Sequence, residues 1–186
     1  MMKTVDSKGF TLVELVLVLA LLAIVAAVAL PKFVSLRQEA QVAKVQSLSG
    51  SLSASLALVK AQVAIRGAGT TVQVNGADVV LTGNMPAASA DSLRALLQLE
   101  VPSSWTRNWQ TQPCQGSDFC ILGNMFVGKN GYVAVPGHPL QGNGGIDRAA
   151  YLWPRGYTLQ SQGCYMYYIN EVTTNTTYSG AITSGC

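Results

Sequence analysis

The strongest pattern in the chain is an apolar run close to its N-terminus. Between Phe10 and Leu30, every residue is apolar except Thr11 and Glu14. About 20 apolar residues in a helix span the hydrocarbon core of a bilayer. The run therefore predicts a membrane-embedded helix. It leaves Glu14 unexplained, because a carboxylate near the centre of such a helix costs roughly 2.5–3.5 kcal/mol.

The pattern that follows Pro31 predicts an amphipathic helix. Apolar residues recur at steps of three and four, which places them on one helical face: Val45, Leu48, Leu52, Leu56, Val59 and Val63. Gly67 and Gly69 predict the end of the helix near Arg66. Pro31 is expected to interrupt the helix, since its ring has no N–H and clashes with the preceding turn. Gly50 is expected to interrupt it more weakly.

The remaining residues predict a sheet on which the apolar stripe can pack. Residues 70–81 alternate around Asn75-Gly76, a hairpin signal. A short helix is expected over 90–99, with Ser89 or Asp91 as its cap and Pro102 beyond its end. Further strand-like runs lie at 119–127, 131–135 and 164–172. An exposed loop is expected at 136–147. The Thr-rich segment 172–180 is expected to connect the last strand to the tail. The fold class predicted is α+β, a long N-terminal helix packed on an antiparallel sheet.

Charged residues are few and unevenly placed. The 186 residues are 49% apolar and 11% charged, with a net charge of +3. Residues 67–186 contain five basic and six acidic side chains, 5 − 6 = −1, so the basic surplus belongs to the helical region. No basic cluster marks the C-terminal part as a nucleic-acid surface.

Four cysteines lie downstream of the apolar run, at Cys114, Cys120, Cys164 and Cys186. Their spacing does not form the paired knuckles of a zinc site. An even number in an exported region favours two disulfides, for which three pairings are possible. We predict Cys114–Cys120, which closes a short local loop, and Cys164–Cys186, which pins the last residue to the body of the domain.

Candidate chemistry is sparse. With one histidine, His138, no nucleophile–base pair can be assembled. Asp118 and Asp147 are too scattered among the carboxylates for a calcium loop. The Asn175-Thr176-Thr177 sequence fits a glycosylation sequon, a match common by chance. The sequence predicts no enzyme activity, no cofactor and no metal.

Two general explanations of the N-terminal segment leave Glu14 without a role. In a secretory signal peptide, Lys3 and Lys8 would form the charged start and residues 27–29 the cleavage site. The apolar run is longer than the usual 7–15 residues of such a peptide. A plain transmembrane anchor accounts for the length. Neither needs a carboxylate.

The sequence Gly9-Phe10-Thr11-Leu12-Val13-Glu14-Leu15, after a basic leader and before the apolar run, resembles the processing site of type IV prepilins. The resemblance implies that a membrane peptidase cuts after Gly9 and then N-methylates Phe10. Glu14 matches the glutamate of the family's motif, and Pro31 matches its helix-kinking proline. The implied partner of Glu14 is the α-amine of Phe10 on a neighbouring subunit, which exists only after cleavage. Such a buried pair would fix the register between helices.

Two further stretches resemble the mannose-sensitive haemagglutinin branch of these pilins. They are residues 29–33 and the ending from Cys164 to Cys186. The additional pair, Cys114 and Cys120, departs from the single terminal disulfide usual in the family.

The resemblance implies four segments: a leader (1–9), a transmembrane and polymerisation helix (10–30), an amphipathic helix (31–66) and a globular, β-rich head (67–186). It implies the structural subunit of a type IV pilus, or fimbria, that serves in cell adhesion. The precursor would lie in the bacterial inner membrane and the filament on the cell surface. Implied partners are other copies of the chain, prepilin peptidase, an assembly platform with its ATPase, and a host or abiotic surface; nucleic acid is not expected. Two alternatives stay open, a pseudopilin of type II secretion and a minor pilin of a DNA-uptake fibre.

Overall fold

The computed structural model describes residues 9–67, 69–101, 111–127, 135, 148–160 and 162–186. Two helices and seven strands occur within these residues: α1 (Leu12–Arg66), β1 (Thr71–Val74), β2 (Ala77–Thr82), β3 (Met85–Pro86), α2 (Ala90–Leu97), β4 (Phe119–Phe126), β5 (Arg148–Pro154), β6 (Tyr165–Glu171) and β7 (Thr176–Ile182). The strands form two antiparallel sheets, β1-β2-β3 and β4-β5-β6-β7. The predicted α+β class is confirmed, and the arrangement matches the type IV pilin fold. The chain divides into two compact units at Ala40/Gln41, and α1 contributes to both.

The expected interruption of α1 at Pro31 is wrong, and so is the weaker one at Gly50. The helix continues through both residues. Proline fixes φ near −65°, which is itself helical, so the direct loss is one hydrogen bond to the carbonyl of Ala27. The hydrogen bonds on either side of Pro31 are sufficient to keep the helix continuous. The predicted end at Arg66 is confirmed: Gly67 has φ +83°, and its N–H donates to the Val63 carbonyl at 2.9 Å.

The predicted apolar stripe of α1 is confirmed as its buried face. Val45, Leu52, Leu56 and Val59 are buried, and Leu48 and Val63 are partly buried against the same core. This core also contains side chains from both sheets and from α2, among them Val79, Leu93, Ile121, Leu152 and Met166. Burial of each large aliphatic side chain stabilises the fold by about 1.5–3 kcal/mol. The second unit is therefore held around residues 45–63 of α1.

Local turn chemistry forms the first hairpin and α2 largely as predicted. Asn75 (φ +52°) and Gly76 (φ +81°) both lie in the left-handed region, as a type I′ turn requires. Ser89 caps α2, because its side chain accepts a hydrogen bond from the backbone N–H of Ser92. The helix ends at Leu97 rather than at 99, since Gln98 adopts φ +52° and its N–H bonds to the Arg94 carbonyl. Pro102 lies outside the described residues.

The four-stranded sheet confirms two predicted strands and adds two that sequence patterns missed. The runs at 119–127 and 164–172 correspond to β4 and β6. The Thr-rich segment is not simply a connection: a turn ends at Asn175 (φ +54°), and β7 then pairs with β6. β5 is buried along nearly its whole length, so it lacks the alternation that marks a half-exposed strand. The predicted strand at 131–135, except the buried Val135, and the loop at 136–147 lie outside the described residues.

Side chains of β6 fasten the three-stranded sheet to the four-stranded one. The Tyr168 hydroxyl donates to the Pro86 carbonyl at 2.7 Å. Nδ2 of Asn170 donates to the carbonyls of Thr82 and Pro86, each at 3.0 Å. Burial raises the pKa of Tyr168 well above its ordinary value, so the hydroxyl keeps the proton that it donates.

A glycine allows α2 to approach β4 closely. The register of β4 shifts between Leu122 and Met125, and a Cβ added to Gly123 would lie 2.2 Å from the backbone nitrogen of Ala90. We expect Gly123→Ala to lower the free energy of unfolding by about 1–3 kcal/mol, because backbone must move to admit the methyl group. Thermal unfolding of the detergent-solubilised chain, followed by circular dichroism, measures the change.

Gly50→Ala is the matched control for this substitution. Nothing lies within 4 Å of a Cβ at Gly50, which is inside α1. The same methyl group should stabilise here by about 0.5–1 kcal/mol, because alanine has the higher helix propensity. Equal midpoints for the two variants would show that α2 and β4 are not packed as described.

Candidate processing and assembly site

The first turn of α1 is closed by a reciprocal pair of side chains, Thr11 and Glu14. Oε2 of Glu14 accepts hydrogen bonds from the Thr11 backbone N–H at 3.0 Å and from the Thr11 hydroxyl at 2.8 Å. In return, the Glu14 backbone N–H donates to the Thr11 hydroxyl oxygen at 3.3 Å. This is a capping box, in which both residues satisfy amide groups that have no partner within the helix.

The capping box gives Glu14 a role within its own chain that sequence analysis missed. The signal was present, because Thr11-x-x-Glu14 directly precedes an apolar run. A carboxylate in the first turn also interacts favourably with the positive end of the helix dipole. Thr11 therefore joins Phe10 and Glu14 as a residue of the site, and it holds the carboxylate at the helix N-terminus.

The peptide bond between Gly9 and Phe10 lies just outside this cap. Both residues precede the helix, and Phe10 is 81% exposed. A bond in non-helical backbone can enter a peptidase cleft without the unwinding that a bond inside α1 would need. Residues 1–8 of the predicted leader lie outside the described residues.

Apolar side chains surround the N-terminal part of α1 on all sides. Large residues from Phe10 to Leu36 are exposed, most of them by more than half of their surface. Within α1, an 18-residue window has a mean hydropathy of 3.0, and none of it is buried. Exposed apolar surface on this scale marks a membrane-binding or partner-binding surface.

Among the described residues the ion pairs are Arg94–Asp91 and Arg155–Asp118, and neither involves Glu14.

The four cysteines form two disulfides, Cys114–Cys120 and Cys164–Cys186, with Cα–Cα distances of 5.6 and 4.8 Å. These are the two pairings that the sequence predicts. The second holds residues that are also tied by hydrogen bonds: the Tyr157 hydroxyl donates to the carbonyl of Cys186 at 2.7 Å. The Gly185 N–H donates to the Gly163 carbonyl at 3.1 Å. The ending of the chain is thus part of the head's packed structure.

A metal-binding cluster does not appear in the part of the chain that the structure describes. No three His, Cys, Asp or Glu side chains there are grouped to hold a metal ion. The carboxylate of Asp118 lies 3.6 Å from the guanidinium of Arg155. His138 and Asp147 lie outside the described residues. Asn175 of the sequon accepts a hydrogen bond from the Asn84 backbone N–H at 2.9 Å.

Thr11→Val should loosen the first turn of α1. The substitution keeps the shape of the side chain but removes the hydroxyl, and loss of such a cap costs about 1 kcal/mol. Amide hydrogen exchange at Glu14 and Leu15, whose N–H groups donate to Thr11, should then accelerate roughly fivefold in detergent micelles. Thr11→Ser keeps the hydroxyl and should exchange like the original chain. Unchanged exchange in Thr11→Val would mean that the cap does not hold this turn.

Comparison with known families gives a match that covers this site. A family model described as the prokaryotic N-terminal methylation motif matches residues 6–30, which include Gly9, Phe10, Thr11 and Glu14. No curated protein and no solved structure matches the chain. The chain thus carries the methylation motif of a type IV pilin-like prepilin at its N-terminus.

Proposed function

We propose that the chain is a structural subunit of a type IV pilus, cut and methylated in the membrane and then polymerised through its N-terminal helix. The observation that carries this proposal is the methylation motif placed at the start of a helix whose apolar N-terminal part is exposed. A soluble protein would bury such a surface. In a filament, the helices of neighbouring subunits cover it.

Processing supplies the charge that the filament uses. Prepilin peptidase cuts between Gly9 and Phe10 and methylates the new amine, which stays positively charged at neutral pH. Glu14 of an adjacent subunit then neutralises this amine inside the apolar core. A buried charge left without its partner costs about 3–5 kcal/mol, so subunits join in the one register that pairs them. Before cleavage, the capping box with Thr11 holds the carboxylate.

The proposed segments follow from this role. The leader (1–9) is removed. Residues 10–30 insert in the inner membrane and later form the filament core. Residues 31–66 connect this core to the exposed head, which is formed by residues 67–186. Pro31 lies where the membrane part ends. Head-to-tail contacts that do not close produce an open fibre. A platform protein and its ATPase drive assembly, and the heads attach the cell to a host or abiotic surface, as in the mannose-sensitive haemagglutinin branch.

The main alternative is a pseudopilin of type II secretion, which shares the processing motif and pushes folded cargo. A DNA-uptake fibre has less support. Residues 67–186 have a charge of 5 − 6 = −1, and phosphate binding needs clustered lysine and arginine.

Electron microscopy of sheared surface material, with an antibody against the head, tests the proposal. We expect long labelled fibres that are absent from a strain lacking this chain. Labelled material confined to the cell envelope, together with a block in protein secretion on deletion, would favour the pseudopilin instead.

A further inference from the structure

Charge is divided between the helix and the head of this chain. Residues 31–66 contain five basic side chains and one acidic side chain, 5 − 1 = +4: Lys32, Arg37, Lys44, Lys60 and Arg66 against Glu39. Residues 67–186 contain five basic and six acidic side chains, 5 − 6 = −1. Two copies of the chain therefore attract each other when the helix of one faces the head of the other.

The head presents acidic side chains in an open groove of about 520 Å³ between the β1–β2 hairpin and α2. Its lining includes the carboxylates of Asp78, Asp91 and Glu100. Arg94 also lines it but already contacts Oδ1 of Asp91 and the Val101 carbonyl. Asp78 and Glu100 are exposed, and neither belongs to an ion pair within the described ranges. The groove thus holds two negative charges that its own arginine does not neutralise.

The helix presents two positive charges, Arg37 and Lys44. They are seven residues apart, so they lie on the same face of α1, about 10 Å from each other along its axis. Both are exposed, and neither belongs to an ion pair among the described residues. Further along the same face at steps of seven come Ser51, Leu58 and Ile65, all exposed as well. All five residues are therefore available to a second copy of the chain.

We propose that Arg37 and Lys44 of one copy dock against Asp78 and Glu100 in the groove of a second copy. The inference rests on the proposed function, because it needs a polymer, and it identifies a contact of that polymer outside the membrane. A helix-to-head contact uses two different surfaces of the same chain, so it can be repeated along a fibre without closing. Opposite charges at such a contact speed encounter and select the register.

A charge-swap experiment on the full chain tests the contact. One variant carries Arg37→Glu and Lys44→Glu, a second carries Asp78→Lys and Glu100→Lys, and a third combines all four substitutions. The measurement is the amount of sheared filament divided by the amount of processed subunit in the membrane. We expect each reversed pair to lower this ratio about tenfold and the combined chain to recover to within about threefold of the original.

Lys60→Glu is the matched control. Lys60 is an exposed lysine of the same helix, about 160° around the axis from Lys44. Its reversal should leave the ratio unchanged. If the second variant accumulates poorly, Asp78→Asn with Glu100→Gln replaces it and should lower the ratio about threefold without adding charge.

Three results would overturn the contact: no loss in either reversed pair, no recovery in the combined chain, or an equal loss in Lys60→Glu. A ratio that falls on addition of a chelator, with no recovery in the combined chain, would assign the groove to a divalent cation instead. Failure of the proposed function would give a different result. If the chain is not a pilus subunit, the unsubstituted chain itself forms no filaments.

Discussion

Glu14→Gln should abolish filaments while leaving a cleaved, methylated and membrane-inserted subunit. Glutamine can still accept the hydrogen bonds from Thr11, because the capping box tolerates either Glu or Gln. It cannot neutralise the amine of Phe10 on the next subunit. Each added subunit would then bury an unpaired positive charge at a cost of about 3–5 kcal/mol, which lowers the association constant by roughly two to four orders of magnitude. The measurement is sheared filament per processed subunit.

The comparison of Glu14→Gln with Glu14→Ala and Thr11→Val separates the two roles of the carboxylate. If intersubunit pairing dominates, Glu14→Gln and Glu14→Ala lose filaments equally, and Thr11→Val keeps most of them. If helix capping dominates, Thr11→Val and Glu14→Ala fail together, and Glu14→Gln assembles normally. Ordered filaments of normal abundance from Glu14→Gln would refute the charge pair.

Replacing Cys164 and Cys186 together by serine should destabilise the head strongly. In the chain-entropy account, a disulfide spanning 22 residues stabilises by about 3 kcal/mol. Its loss should lower the melting temperature of the head by about 10 °C. The segment it holds also supplies the acceptor for the Tyr157 hydroxyl and the packing of Gly185 against Gln162, so these contacts should loosen with it. Thermal unfolding of the oxidised chain in detergent measures the shift.

The Cys114–Cys120 disulfide serves as the control for the Cys164–Cys186 disulfide. The span of Cys114–Cys120 is 6 residues, for which the same account gives about 2 kcal/mol. Replacing Cys114 and Cys120 by serine should therefore have the smaller effect. The loop it closes is held by further hydrogen bonds, from the Arg155 N–H to the Asp118 carbonyl and from the Cys114 N–H to the Tyr157 carbonyl. A larger loss from this pair than from Cys164–Cys186 would contradict the assigned roles.

The elements that sequence predicted well depend on local chemistry or on one-sided burial. The stripe from Val45 to Val63, the Asn75-Gly76 turn and the Ser89 cap each carry a short-range signal. The apolar run that begins at Phe10 was equally predictable, because an apolar run of this length is compatible with few structures other than a membrane-embedded helix. In each case the residues themselves restrict the conformation.

The elements that sequence missed depend on tertiary context. β5 is buried almost throughout and shows no alternation, and β7 is a polar strand that forms by pairing with β6. The bulge that admits α2 at Gly123 depends on the approach of Ala90, which no local pattern reveals. At the site, the spacing Thr11-x-x-Glu14 is a recognisable capping-box signal. Sequence analysis considered only Glu14 and therefore missed Thr11. The predicted interruption at Pro31 is wrong because the helix continues through the proline, whose fixed φ is itself helical.

Mass spectrometry of the chain recovered from sheared surface material tests the central claim most directly. We predict a single mature N-terminus at Phe10 that carries one methyl group, with residues 1–9 absent. This result requires cleavage after Gly9 and the new amine that Glu14 is proposed to neutralise. A chain that begins at Leu30, or one that keeps residues 1–9, would contradict the account.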